Sequence, residues 1–324
     1  MMPTRQLHAL AATARLANIP SVVGNVWLGI ALGAMVAGKL SQGHALVIAA
    51  LLGVSGVCLY LAGNFLNDWA DRQWDAAHRP ERALPQGVIA PGFYRTVARV
   101  CGALGLLVAA MIHLRCGLVA LLLVLCIVIY TRFHKCAAWS VIPLGLCRAL
   151  LPVLGFTGVA ALNAVPVAGR ENQPAWLLAA LAACACGLLL HIAGLSLSAR
   201  RESLGPSPSD RTMAFGRILF PAAALAMFVA SSQCLALPLL PCLLGLLPYG
   251  LWITLCLTTF RQPLPVQVAN LLAGIPLVDW IVLLPLALTQ GATREWTALT
   301  SVSLLLPPLA CLLGKLLQRL APAT

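Results

Sequence analysis

Ten apolar runs, each about as long as a bilayer is thick, succeed one another along this chain and leave little else. A helix crossing the hydrocarbon core needs about 20 apolar residues. Reading between polar breaks gives runs near 18–38, 44–66, 96–114, 116–132, 139–162, 174–198, 214–232, 234–258, 264–290 and 297–317. The pairs that meet near 115 and 233 are tight, so nine spans is the alternative count. Charged residues are 9% of the 324-residue chain, against about 25% in soluble domains. Within lipid, backbone groups must bond among themselves, which leaves helices for runs of this length. The expected fold is all-α: a polytopic transmembrane helix bundle of nine or ten helices, with residues 1–324 forming a single domain.

The basic residues orient the bundle. In a ten-span arrangement one side receives Arg5, Arg15, Arg72, Arg79, Arg82, Arg95, Arg99, Arg132, Lys135, Arg200, Arg201, Arg211, Arg217, Arg261, Lys315 and Arg319. The other side receives Lys39, Arg115, Arg170 and Arg294, and Arg148 falls inside a span. Positive charge is retained on the cytoplasmic side, so the richer face is read as cytoplasmic. The net charge of +12 is no sign of nucleic acid, because the basic residues are spread among apolar runs. The twelve cysteines lie mostly within those runs and read as small packing residues.

One stretch breaks the apolar pattern. Residues 64–87 hold Asp68, Asp71, Asp75 and Glu81, four of the nine acidic residues, directly after the second run. Carboxylates near a bilayer are costly and point to a working site. At about 100° per residue, Asn64, Asn67, Asp68, Asp71 and Asp75 fall within a wedge of roughly 100°. Aspartates so placed repel one another unless a cation joins them. Oxygen donors of this kind suit Mg²⁺, with Asn67, Asp68, Asp71 and Asp75 as the candidate metal ligands. Arg72, Arg79 and Arg82 follow closely, and guanidinium groups match phosphate oxygens. Metal and arginine together at a membrane surface describe a site for a lipid diphosphate.

These residues resemble a known family. Asn67-x3-Asp71-x3-Asp75, followed by Arg79-Pro80 and Arg82-Ala-Leu-Pro85-x-Gly87, is similar to the first aspartate-rich motif of the UbiA superfamily of intramembrane prenyltransferases. Arg15-Leu-Ala-Asn18-Ile-Pro20-x4-Asn25-x3-Gly29 resembles that family's first helix, and Tyr130-x4-Lys135 its tyrosine–lysine segment. The resemblance implies a UbiA-like bundle with Mg²⁺ as cofactor and the site on the cytoplasmic side of a bacterial inner membrane. It implies a prenyl diphosphate and an aromatic or other small acceptor as partners. It assigns Asp71, Asp75, Lys135 and Tyr130 to catalysis. Asn25, Asn67, Arg79, Arg82, Arg148, Arg200 and Arg201 are the expected substrate-binding residues. Loops 67–95 and 199–213 are expected to cap the site. Phe65, Trp69, Phe93, Tyr130 and Trp139 are the aromatics available to face an allylic cation.

The chain departs from the family after the sixth span. A second aspartate pair is usual there, but Ser196, Ser198, Arg200, Arg201 and Glu202 stand instead, with no aspartate before Asp210. One reading has Arg200 or Arg201 meeting the diphosphate directly. The other is a transporter or lipid-binding component that keeps the fold without the chemistry. Asp279 is the acidic residue of the ninth run, and a pairing with Arg148 is one expectation for both.

Overall fold

The structure is a computed structural model. It describes residues 4–35, 42–135, 138–162, 175–204, 210–293 and 297–320, with the side chains at 42, 138, 162, 200–204, 210–214 and 293 outside that description. The described residues are helical almost throughout and include ten helical stretches long and apolar enough to span a bilayer. A short surface helix, α1 (Thr4–Ala14), precedes α2 (Ile19–Ala34), α3 (Gln42–His78), α4 (Pro91–Ile112) and α5 (Leu114–Phe133). Then come α6 (Val141–Leu162), α7 (Ala175–Leu204), α8 (Asp210–Val229), α9 (Leu239–Leu257), α10 (Leu264–Ala273), α11 (Ile275–Thr293) and α12 (Ala298–Leu317). The protein is an integral membrane protein, and Leu104, Leu107, Met111, Leu122, Leu251 and Leu309 face outward where lipid tails take the place of water.

The centre of the bundle is α2. Its span is 78% buried, against 17% for the span of α4, so α4 is peripheral and α2 is enclosed. It packs on α3, α6, α11 and α12. Small residues let α2 and α6 approach to backbone contact. A Cβ on Gly29 would collide with the Pro152 carbonyl, and one on Gly155 with the Val26 carbonyl. Between membrane helices, lipid tails are as apolar as leucine, so close backbone packing of this kind carries much of the association.

Three boundaries differ from the sequence reading. α3 does not stop at 66 but runs on to His78, so residues 67–78 are helix rather than loop. At 1.5 Å per residue its 37 residues extend roughly 55 Å, well beyond a hydrocarbon core of about 30 Å. A bilayer surface ends the apolar run, but it does not end the helix. That falls to Pro80, whose ring disfavours helical backbone at Arg79. The ninth run is two helices, α10 and α11, split at Gly274. Pro276 has no N–H to continue the ladder. Neighbours take up the carbonyls near the break: Trp252 Nε1 donates to Asn270 O at 2.9 Å, and His191 Nε2 lies 3.4 Å from Leu271 O. Helix α7 likewise continues to Leu204, into the second expected loop.

The connection from α3 to α4 is a stack of turns over residues 79–90. Arg82 N bonds Arg79 O, Gln86 N bonds Arg82 O and Val88 N bonds Ala83 O. Gly87 closes it at φ +66°, in the left-handed region. Helix α1 lies across this loop, with Arg5 Nη2 donating to Gln86 Oε1 at 2.7 Å and Gln6 Nε2 to Val88 O at 3.4 Å.

Four substitutions test this fold by thermal unfolding in detergent. Gly155→Leu should lose at least the roughly 1–3 kcal/mol of an overpacked core, because the obstacle is backbone. Gly53→Ala, with nothing within 4 Å of the new methyl, should unfold like the parent. Gly87→Ala should cost about 1–2 kcal/mol through its backbone angle alone, whereas Gly92→Ala, in open space, should not.

Candidate active site

The helix that overshoots the bilayer carries the acidic residues on its last turns, and the chain brings basic residues to them from three other segments. From the start of α2 comes Arg15, at the left-handed backbone position φ 46°, ψ 54°. That conformation costs roughly 1–2 kcal/mol, and Tyr60 Oη, donating to Arg15 O at 3.2 Å, helps to hold it. Arg15 Nη1 donates to Asn64 Oδ1 at 2.9 Å, and its Nη2 lies 3.6 Å from Asp68 Oδ1. The folded-back loop supplies Arg82, whose Nη1 is 3.0 Å from Asp75 Oδ2 and 3.8 Å from Asp68 Oδ1. The end of α5 supplies His134 and Lys135. His134 Nε2 is 3.0 Å and Lys135 Nζ 3.3 Å from Asp71 Oδ2, and Asn67 Nδ2 meets the same oxygen at 3.4 Å. Lys135 Nζ also sits 3.6 Å above the Trp74 ring. The repulsion among the carboxylates is thus relieved by Arg15, Arg82 and Lys135 in place, with His134 hydrogen-bonded to Asp71.

The acidic face is split. A cavity of about 390 Å³ opens beside Asn67 and Asp71, with Tyr130, His134 and Lys135 in its wall. A second, of about 670 Å³, lies between α1 and the 79–90 loop and is lined by Asp68 and Asp75. Arg15, Arg79 and Arg82 line both. Helix geometry explains the division. At about 100° per residue, Asp68 and Asp75 fall within about 20° of each other, while Asp71 leans some 40–60° away towards Asn67.

Several donor oxygens remain unused by the protein. Asn67 Oδ1 and Asp75 Oδ1 are buried without a hydrogen bond, Asp68 Oδ1 has only its longer ion pairs to Arg15 and Arg82, and among the described residues the bonds to Asp71 use Oδ2. Among the described residues no group of three His, Cys, Asp or Glu side chains forms a ready-made metal cage. A hard divalent cation does not need one. Mg²⁺ commonly takes one or two carboxylates and completes its shell with water and substrate phosphate. The unpartnered, all-oxygen set fits such an ion. Arg79 has no ion pair within 4 Å among the described residues and faces both cavities, so its guanidinium is available to phosphate.

Below the charged rim the first cavity becomes apolar, walled by Leu123, Ile127, Leu144, Leu151, Ile192, Val268, Leu272 and Ile275. Tyr130 lies on the cavity wall with its ring 5.0 Å from that of His134. Of the five expected aromatics, Tyr130 is the one on this wall. Phe65 instead packs on Tyr94 at 5.3 Å, Trp69 lies under Arg72 and Arg95, and Phe93 and Trp139 are exposed. Tyr60 and Trp74 stand on the wall in their stead.

Asn25 differs from expectation. It is fully buried and off the cavity wall, because it is spent on two neighbours: it accepts from Arg148 Nη1 at 3.2 Å and donates to Asp279 Oδ2 at 2.8 Å. Arg148 does line the cavity. The side chains of Arg200 and Arg201 lie outside the described residues, although Ser196 and Ala199 bring that end of α7 to the cavity. Sequence reasoning missed His134 and Trp74, and gave Arg15 and Asn64 no role of their own. His134 was within reach, four residues after Tyr130 and next to Lys135. Arg15 stood in the quoted first-helix segment without a role.

Comparison with known proteins gives the family. Residues 26–264 match the model of the UbiA prenyltransferase family. A digeranylgeranylglyceryl phosphate synthase of Methanopyrus kandleri is 37% identical over 98 residues, 29% of this chain and 34% of the relative. One from Natronomonas pharaonis is 30% identical over 154 residues, 48% of this chain and 52% of the relative. The chain therefore matches about a third to a half of the length of these curated relatives. Among solved structures, a digeranylgeranylglyceryl phosphate synthase aligns with a TM-score of 0.56 at 15% identity, covering 88% of this chain and 98% of that one. A UbiA homolog from Archaeoglobus fulgidus bound to DMAPP and Mg²⁺ aligns at 0.51 and 14% identity, covering 96% and 98%. At such identities the structural likeness establishes the fold, and the family match over most of the length establishes the kinship: the chain belongs to the UbiA prenyltransferase family.

Proposed function

We propose that this protein transfers an isoprenyl group from a prenyl diphosphate to an aromatic or other small acceptor within the membrane. One observation carries the reading. Asp71, with an oxygen to spare, and the basic groups Arg79, Arg82, His134 and Lys135 converge at the mouth of a cavity whose depth is apolar. That is the distribution of charge on a prenyl diphosphate, with an anionic head and a hydrocarbon tail. The A. fulgidus homolog, which holds DMAPP and Mg²⁺, supports it. The arginine-rich side of the ten-span arrangement supports a cytoplasmic site, and a bacterial inner membrane is the setting we infer.

In the reaction the allylic C–O bond breaks and diphosphate leaves with the electron pair. The acceptor then forms the new bond and gives up a proton. Mg²⁺, when bound by Asp71 and Asp75 with Asn67 and Asp68 assisting, supplies charge neutralisation at the leaving diphosphate. Arg79, Arg82 and Lys135 add fixed positive charge at the same end. One preorganised donor of that kind is typically worth about 3–4 kcal/mol. Tyr130 stands on the wall near the mouth, and aromatic faces attract a cation. The apolar wall keeps water from the allylic centre.

A non-catalytic reading also rests on a specific observation: no aspartate stands between Asp75 and Asp210, so a second carboxylate pair is missing from the end of α7. Product formation from a prenyl diphosphate and a panel of acceptors separates the two. Binding in detergent tests the site itself. Asp71→Ala and Asp75→Ala should each weaken Mg²⁺-dependent binding of geranyl diphosphate by at least about tenfold, or 1.4 kcal/mol. Unchanged binding in both removes the metal assignment. Arg200→Ala should weaken geranyl diphosphate more than geraniol, and equal losses count against a phosphate contact.

A further inference from the structure

The cavity has a second polar pole, deep among apolar side chains and away from the acidic rim. It is Arg148, on α6, inside a membrane span and 8% exposed. A cationic side chain at that depth is costly and is retained where it has a partner or a task. Its protein partners use only part of it. Nη1 donates to Ser21 Oγ at 2.9 Å and to Asn25 Oδ1 at 3.2 Å. The guanidinium carbon lies 5.4 Å from the centre of the Tyr60 ring. Among the described residues no hydrogen bond reaches Nε or Nη2, while the side chain forms part of the cavity wall beside Tyr60, Ser140 and Cys147.

A purely structural arginine would be expected to pair directly with the nearby buried carboxylate. Here Asn25 stands between them, accepting from Arg148 and donating to Asp279 Oδ2. The fully buried Asp279 is off the cavity wall, and its Oδ1 has no hydrogen bond. Asn25 and Ser21 therefore fix one edge of the guanidinium and leave the other edge to the cavity. An arginine fork held in this way is preorganised for oxygen acceptors.

A hydrocarbon tail has nothing to offer that edge. Tyr60, which touches Arg148, lies seven residues before Asn67 and eleven before Asp71 on α3. The two poles are thus separated by roughly 10–16 Å along the helix, which is room for a small acceptor between Arg148 and the diphosphate end. We propose that Arg148 recognises the acceptor, and that the acceptor carries a carboxylate or carbonyl oxygen which meets the free edge of the guanidinium. This deepens the prenyl-transfer reading and rests on it for the word acceptor. The oxygen site itself stands on Arg148 alone.

The test uses the full chain in detergent with Mg²⁺ and geranyl S-thiolodiphosphate, a non-transferring analogue. Three probes share one ring size: benzoate, acetophenone and ethylbenzene. Dissociation constants are measured by NMR titration. The parent should prefer at least one oxygen-bearing probe to ethylbenzene by about tenfold or more. Arg148→Met should level all three while leaving thiolodiphosphate affinity within about twofold. Benzoate above acetophenone identifies an anionic acceptor, and the reverse identifies a neutral carbonyl. No preference in the parent, a preference that survives Arg148→Met, or equal losses of probe and thiolodiphosphate affinity overturns the proposal. Should Arg148→Met fail to fold, Arg148→Lys decides: it keeps the charge but loses the fork, so the preferred probe should weaken by about threefold or more, and an unchanged affinity overturns the proposal. If the parent binds no thiolodiphosphate but keeps an Arg148-dependent oxygen preference, the prenyl-transfer reading fails and the oxygen site remains.

Discussion

Negative charge held at the end of a helix that outruns the bilayer organises this molecule. Asp68, Asp71 and Asp75 could not share the last turns of α3 without cations, and the chain supplies Arg15, Arg82 and Lys135 from before α2, from the 79–90 loop and from the end of α5, with a hydrogen bond between His134 and Asp71 beside them. Each contact ties a separate segment to α3, so neutralising the carboxylates also shapes the mouth of the cavity. The same contacts leave an oxygen each of Asn67 and Asp75 unbonded. A buried acceptor without a partner is costly to keep, and a hard cation with its phosphate is the natural complement.

Beneath that mouth the lipid environment sets the terms. Polar groups inside the bundle must be satisfied by the bundle, and they are gathered into short chains. Ser21, Asn25, Arg148 and Asp279 form one, joining α2, α6 and α11. His191 and Tyr249 form another, with the Leu271 carbonyl near the α10–α11 break. The glycine contact between α2 and α6 brings the first chain together, because it draws the helices bearing Asn25 and Arg148 into register. Close packing and polar specificity are therefore one feature of the fold.

Much of this was legible in the sequence, for reasons that can be named. Apolar runs report spans because bilayer thickness is nearly constant, and the described residues hold ten where nine or ten were expected. The acidic motif was legible because charge is rare here. The continuation of α3 to His78 was not, because hydropathy marks where lipid ends and is silent on where a helix ends. The split of the aspartates was latent in the numbers: positions 68 and 75 are seven apart and nearly superimpose, while 71 does not. A wedge measured as one face concealed it. The partners of Asp71 lay 63 and 64 residues along the chain, and only tertiary structure brings His134 and Lys135 to it. The neighbours of Asn25 were not legible, because an amide inside a span looks the same in sequence whether it meets ligand or protein.

The central claim is that the carboxylates on α3 exchange protein cations for a metal-bound diphosphate. The most direct measurement is an experimental structure of the full chain with geranyl S-thiolodiphosphate and Mn²⁺, with the metal located by its anomalous scattering. The account predicts Mn²⁺ bonded to an oxygen of Asp71 or Asp75, with phosphate oxygens against Arg79, Arg82 or Lys135. Metal and phosphate found elsewhere, with Asp71 still bound to His134 and Lys135 and Asp75 to Arg82, would contradict it.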